Sequence, residues 1–458
     1  MLTSQVPDRL DCRHVQARPA GPQGGAEAPA TRRLRRTVCA LAILVVAGAS
    51  PRTAWVRDVG PLPVSGPRFS ATGPDAAEYG SANGYPIGDR WSFSHVGFLV
   101  GALSHLDQIF EGRLIRRAAS PSQFSRAASE PPIRYEYQGQ SYTLDDYLER
   151  HPVTGLLIAK NQTILVERYQ YARNDQHRFT SWSMAKTVTA MLVGIAIAEG
   201  RIRTIDDRAD AYVPALAGTE YGGTSLRHLL QMSSGVRFHE QYTPDADLTQ
   251  LTRDTFRQLG PGGVDAVRKY NERVAPSGTR FSYASVETQV LGLVLTSAIG
   301  RTVADYLEEK IWRPIGAEAD ARWLVDSAGQ EATFCCLNAV LRDYARLGLL
   351  LAHDGNWLGR QVIPAAWVEE ATSRDANRGH LWPGVATRFW GYGYQTWIYP
   401  VEQRRFFALL GDHAQSIHVD PRSRLVMIHT AVRRRQADDP ANRETTVLWR
   451  AVVKTLGR

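Results

Sequence analysis

The chain has 458 residues, enough for two domains or for one large domain with insertions. Its 43% hydrophobic and 22% charged residues are ordinary for a globular protein and exclude a wholly disordered, collagen-like or polytopic membrane protein. The formal net charge is +8, but residues 1–49 alone carry +4, through Arg9, Arg13, Arg18, Arg32, Arg33, Arg35 and Arg36 against Asp8, Asp11 and Glu27, so the remainder requires no basic binding face.

The N-terminal segment, 1–49, reads as a leader. Arg32-Arg33-Leu34-Arg35-Arg36 precede Val38–Ala49, twelve residues without a charge that close on Ala47-Gly48-Ala49. A basic flank, a short apolar run and a small-x-small end describe an export signal, and the run is too short to span a bilayer stably. A periplasmic or secreted location is therefore expected, with the cytoplasm as the alternative. The Pro-, Gly- and Ala-rich stretch ahead of the arginines is unusual for such a leader. Residues 50–83 are rich in Gly, Pro, Ser and Ala and read as a linker. Residues 84–135 read as an N-terminal extension, whose aromatic part carries Trp91, Phe93, Phe98 and Phe110 and is expected to pack on the main unit.

The four cysteines are Cys12, Cys39, Cys335 and Cys336, with no CxxC pair to suggest zinc or a redox motif. A bridge between adjacent cysteines has poor geometry, so Cys335 and Cys336 are expected to be unbridged, small, buried side chains.

The main unit is expected over 136–458. Gly155–Ala159 and Thr163–Tyr169 flank Lys160-Asn161-Gln162 and read as a β-hairpin. Val188, Met191, Leu192 and Ile195 fall at i, i+3, i+4 and i+7, and Gly200 marks the end of the helix they define. A helix-rich insertion follows over about 202–370, including Leu226–Met232 and Leu341–Ala352. The tail returns to strands at Arg405–Leu410, Ser416–Asp420 and Leu425–Val432. It closes with a helix that aligns Trp449, Val452, Val453 and Leu456. Strands at both ends and helices between them fit an α/β (α+β) class. The expected architecture is an antiparallel sheet flanked by helices, with a mainly helical subdomain.

Three short stretches carry chemistry. Ser183 and Lys186, in Ser183-Met184-Ala185-Lys186, lie one helical turn apart on the same face. A helix start favours a developing oxyanion, and a desolvated lysine can be neutral and take the serine proton. The same spacing also describes a capping serine followed by a surface lysine. In Tyr283-Ala284-Ser285 a phenol can share a proton relay with a lysine, and Ser285 can hydrogen-bond that lysine. In Gly411-Asp412-His413-Ala414-Gln415, between two strands, an edge backbone N–H can serve as a second oxyanion donor.

In this order and spacing the three stretches resemble the serine hydrolases of the penicillin-recognising, class C β-lactamase-like family, with its S-x-x-K, Y-x-N or Y-x-S and third, Gly-containing motif. The resemblance runs from about residue 84 to the C-terminus and leans towards the 6-aminohexanoate-dimer hydrolase branch. Gly97–Asp107, Leu229–Gly235, Phe238-His239-Glu240-Gln241-Tyr242, Arg342–Arg346 and Gly355–Pro364 add to it. It implies the β-lactamase/transpeptidase-like fold, with Ser183 as the acyl-accepting nucleophile and Lys186 as its general base. Tyr283 would assist the lysine and protonate the leaving group, and the backbone N–H groups of Ser183 and Asp412 would form the oxyanion hole. Tyr242, Ser285 and His413 would bind substrate, Tyr242 beside the leaving nitrogen. It implies no metal and no cofactor.

Departures from the family pattern shape the expected activity. Leu409-Leu410-Gly411 replaces Lys-Thr-Gly, so the handles for a β-lactam carboxylate are missing. Ala414 stands where glycine is usual, and Asp412 where a neutral residue is common. Ser285 in place of Asn favours the esterase and amidase side. The expected function is cleavage of small ester or amide substrates through an acyl-enzyme. The alternatives are β-lactamase or D,D-peptidase-type activity, or a non-catalytic binding member of the fold. The chain has no G-x-S-x-G elbow, Walker A or H-E-x-x-H sequence, and no basic stripe with interleaved aromatics for nucleic acid. No stable membrane span is expected, and no residue pattern speaks to oligomeric state.

Overall fold

Two runs of apolar residues, 153–160 and 163–169, pair with strands from the far end of the chain, and that pairing closes the structure. A computed structural model describes residues 66–374, 376, 379–400, 404–434 and 440–458. The expected leader, with Cys12 and Cys39, lies outside the described residues, as does the first part of the linker.

The strands of the main sheet are β1 (Arg68–Phe69), β2 (Ser125–Arg126), β3 (Val153–Lys160), β4 (Thr163–Tyr169), β5 (Gly391–Tyr392), β6 (Trp397–Ile398), β7 (Phe407–Leu410), β8 (Ser416–Asp420) and β9 (Leu425–Ala431). Their order is β1-β4-β3-β9-β8-β7-β6-β5, with β2 also on β4. The hairpin β3–β4 and the tail strands form where the apolar runs predict them, and Leu157 of β3 sits opposite Ile428 of β9. β1 and β2 run parallel to β4, so the sheet is mixed rather than purely antiparallel.

Both faces of this sheet are covered, which is why its strands are apolar at nearly every position. Leu157, Ala159, Phe407, Leu409, Val426 and Ile428 enter one core. Their neighbours Leu156, Ile158, Ala408, Leu425 and Met427 enter the other. The period of two along a strand makes this division. Helices α1 (Ala185–Ala198), α2 (Ser285–Ile299) and α3 (Leu341–Ala352) share the first core, and α4 (Pro440–Leu456) brings Leu448, Trp449 and Val452 to the second. The result is an α+β arrangement of a central sheet between helical layers.

The described part of the stretch read as a linker, 66–83, is instead tied into the fold. Arg68 and Phe69 pair with Arg168 and Tyr169. Tyr79 and Tyr85 are buried edge-on against Tyr171. Composition favoured a linker, but three tyrosines supply enough apolar surface to anchor it. Phe93, Leu99, Leu103 and Phe110 of the following segment also lie in the first core.

A second, four-stranded sheet joins Gly112–Ile115, Ala321–Leu324, Leu337–Ala339 and Phe179–Thr180. It delivers two turns to one place, the one after Thr180 and the one before Leu337. In the latter, Cys335 and Cys336 are joined by a disulfide, contrary to the expectation that they stay apart. Cys336 takes a left-handed φ of 68°, which turns the chain between them. Among the described residues, no single helix is long and apolar enough to cross a membrane.

Candidate active site

The turn after Thr180 is held from both sides before it reaches Ser183. Ser181 N donates to the Leu337 carbonyl at 2.7 Å, and Leu337 N donates to Ser181 Oγ at 3.0 Å. Trp182 then adopts φ 42°, an unfavourable left-handed value for a residue with a large side chain, and such conformations persist only when their surroundings hold them. The turn Trp182–Met184 runs straight into α1. Ser183 therefore stands at a helix start and is partly exposed, while Lys186 is buried one turn on.

The lysine is aimed at the serine. Lys186 Nζ lies 2.8 Å from Ser183 Oγ and donates to the Phe334 carbonyl at 3.0 Å. α1 is apolar around almost its whole circumference, so this ammonium has lost most of its water. Burial pulls its pKa down to about 8, against the opposing pull of the Glu240 and Asp412 carboxylates.

Tyr283 completes the cluster from the other side. Its ring centroid is 4.9 Å from Lys186 Nζ, and its hydroxyl faces Ser183. The ring is stacked on Trp397 at 5.3 Å and meets Tyr392 edge-on at 6.0 Å, which fixes its plane. Burial, with Glu240 adding to it, pushes the phenol pKa up, so Tyr283 holds its proton at neutral pH.

Ser285 does not reach the lysine. It opens α2 and donates its N–H to Glu240 Oε2 at 2.8 Å and its hydroxyl to Glu240 Oε1 at 2.5 Å. The carboxylate accepts both donors of Ser285, one on each oxygen, whereas an ammonium offers a hydroxyl no acceptor. Sequence reasoning missed Glu240 as a site residue. Its position two residues before Tyr242, in a stretch already singled out, was the only available signal. Burial pushes its carboxyl up, while Lys186 and Ser285 pull it down.

The third stretch ends β7 against the serine turn. A Cβ on Gly411 would come within 2.4 Å of the Ser181 carbonyl oxygen, so only glycine allows this approach. Ala414, where the resemblance leads one to expect glycine, takes φ 70°. His413, expected to bind substrate, is turned away. It is buried, and its Nδ1 bonds the Arg433 carbonyl at 2.6 Å. His413 takes a left-handed φ of 56°, and its Nε2 lies 3.9 Å from Asp412 Oδ2.

Ser183, Glu240, Tyr242, Ser285, Phe334, Cys335 and Asp412 line one cavity of about 180 Å³. Tyr242 is 54% exposed at its rim. A larger cavity of about 740 Å³ borders His413 and Trp390 but contains neither Ser183 nor Lys186. The smaller one holds the chemistry, because Ser183 opens into it. Among the described residues, no group of three or more His, Cys, Asp or Glu could hold a metal ion.

A hydroxyl at a helix start, an amine that is partly neutral near pH 8 and a protonated phenol form a set suited to acyl transfer. Residues 143–448 match the family model described as Beta-lactamase. The 6-aminohexanoate-dimer hydrolase of Paenarthrobacter ureafaciens is 27% identical over 371 residues, covering 78% of this chain and 91% of its own. A Bacillus anthracis structure, assigned provisionally as a 6-aminohexanoate-dimer hydrolase, superposes with a TM-score of 0.72 at 23% identity, over 80% of this chain and 97% of that one. A penicillin-binding protein homologue from Caulobacter crescentus superposes with a TM-score of 0.52 at 17% identity, over 67% of this chain and 93% of that one.

Proposed function

The chain belongs to the β-lactamase family of hydrolases, and from that premise we propose that it cleaves small linear ester or amide bonds through an acyl-enzyme on Ser183. The observation that carries this reading is the contact of Lys186 Nζ with Ser183 Oγ at 2.8 Å, with the Tyr283 ring centroid 4.9 Å from the same nitrogen.

Ser183 Oγ attacks the substrate carbonyl carbon and its proton passes to neutral Lys186 Nζ. The carbonyl oxygen becomes an oxyanion, stabilised by the helix start and by the backbone N–H groups of Ser183 and Asp412. The tetrahedral species collapses, the bond to the leaving oxygen or nitrogen breaks, and Tyr283 protonates that atom. Lys186 returns a proton to the phenolate. Water then attacks the acyl-enzyme, gives a proton to the same relay, and releases the carboxylic acid with Ser183 restored. Tyr242, which lines the cavity, receives the leaving group in this reading.

The relative from Paenarthrobacter ureafaciens acts, by its name, on the dimer of 6-aminohexanoate, and linear amides of that size are the amide substrates we assign to this chain. Leu409 and Leu410 offer no cation or hydroxyl to a β-lactam carboxylate, so β-lactams are poor candidates. The test is a panel of p-nitrophenyl butyrate, the linear 6-aminohexanoate dimer and nitrocefin. Turnover of the ester or the dimer with little or none of nitrocefin is expected. Turnover of nitrocefin alone, or of nothing in the panel, contradicts the reading.

A further inference from the structure

One cation in the catalytic cavity is left unused by this chemistry. Arg257 lines the cavity beside Phe93, Leu248 and Phe256. Its Nε is buried without a hydrogen-bond partner. Its guanidinium donates to the Arg90 carbonyl at 3.3 Å, and among the described residues Arg257 forms no ion pair. Arg346, by contrast, is paired with Asp343 at 2.8 Å, and Arg342 with Glu167 at 2.8 Å. Around Arg257 the charges are of its own sign. Arg253 and Arg90, with burial, act against its charged form.

What surrounds the guanidinium is aromatic. It lies 5.6 Å from the Phe93 ring centroid and 6.0 Å from that of Trp91. Cation–π contacts offset only part of the cost of removing a guanidinium from water. An anion supplied by the substrate would complete the balance, and the planar fork of donors suits a carboxylate. Phe93, Leu248 and Phe256 give the same cavity an apolar patch, beside the polar Ser94, Thr249 and Thr252, that suits a methylene spacer.

We infer that Arg257 is a specificity residue that binds a carboxylate carried by the substrate, separated from the scissile carbonyl by a short apolar spacer. This names the substrate class within the proposed function and rests on it for the reaction, though not for binding. A substrate with an ammonium at that end meets three arginines and is disfavoured; a neutral one leaves Arg257 without an acceptor. The competing structural role is a latch, in which Arg257 holds the segment Arg90–Phe93 to the main unit.

The test has two arms, both on the full chain. In the first, glutarate binding is measured by calorimetry. Wild type is expected to bind it with an affinity that falls as salt rises, Arg257→Met to weaken it by about tenfold or more, and Arg257→Lys to keep part of it. In the second, kcat/KM is compared for mono-p-nitrophenyl glutarate and p-nitrophenyl butyrate. The ratio is expected to favour the anionic ester in wild type and to fall about tenfold in Arg257→Met, chiefly through KM. A lowered Tm with the same ester ratio and the same glutarate affinity makes Arg257 a latch and overturns the inference. So does a wild type that turns over both esters equally and binds no glutarate. Arg257-dependent glutarate binding in a protein that cleaves no ester upholds the inference and defeats the proposed reaction instead.

Discussion

Ser285 gives both its backbone N–H and its hydroxyl to the carboxylate of Glu240, at 2.8 and 2.5 Å. The contact ties the residue two places after Tyr283 to the wall of the cavity and sets a negative charge facing Lys186. A carboxylate there favours the ammonium form, so it opposes the burial that makes Lys186 a base.

A pH profile reads this opposition. For a neutral ester, kcat/KM is expected to rise with pH through an apparent midpoint near 8, as Lys186 loses its proton. In Glu240→Gln the negative charge is gone, the ammonium loses its support, and the midpoint moves to lower pH. A midpoint that stays in place or moves up shows that Glu240 does not act on the lysine.

Tyr283→Phe keeps the ring that stacks on Trp397 and removes only the hydroxyl that faces Ser183. A loss in kcat of about a hundredfold or more is expected, with KM little changed, because the phenol acts on the leaving group. The loss should be larger for an amide than for a p-nitrophenyl ester, whose leaving group needs no proton. Equal losses on both substrates would place Tyr283 outside the proton relay.

Gly411→Ala puts a methyl group 2.4 Å from the Ser181 carbonyl oxygen. β7 must then move off the serine turn, at an overpacking cost of about 1–3 kcal/mol. Activity should fall further than that cost alone suggests, because the displaced segment carries the Asp412 N–H. Measuring Tm and kcat together checks this, and an active variant with wild-type kcat would contradict the placement of Asp412 beside the oxyanion.

Away from the chemistry, Glu287 on α2 is buried, accepts from Ser234 Oγ at 2.6 Å, and has its pKa raised to about 8 by burial. The folded state therefore holds a proton that the unfolded chain releases near pH 4.5. Its contribution to stability is greatest at low pH and is lost as pH rises from about 4.5 to about 8. Thermal unfolding of Glu287→Gln beside wild type checks this. The variant should lose less Tm than wild type between pH 5 and pH 8.

What the sequence reveals follows the range of each signal. The hairpin β3–β4, the helix α1 and the tail strands are legible because each leaves a local trace, apolar runs bounded by turn residues for the strands and apolar residues at i, i+3, i+4 and i+7 closed by Gly200 for the helix. The encounter of Ser183, Lys186 and Tyr283 is legible through the ordered motifs that the resemblance recognises. Contacts between distant segments leave no such trace. Nothing near Arg68 indicates that it will pair with Arg168, and nothing near Glu240 indicates that Ser285 will turn to it rather than to Lys186. His413 was misplaced because its direction depends on one left-handed φ, and the Cys335–Cys336 bridge because the φ of Cys336 is equally unforeseen.

The central claim is that Ser183 is the nucleophile, and the most direct measurement is covalent labelling. The full chain is treated with a fluorophosphonate, digested and mapped by mass spectrometry, beside Ser183→Ala and Lys186→Met. The account predicts one adduct, on Ser183, absent in Ser183→Ala and formed far more slowly in Lys186→Met. An adduct on another residue, or p-nitrophenyl butyrate hydrolysis that survives intact in Ser183→Ala, would contradict it.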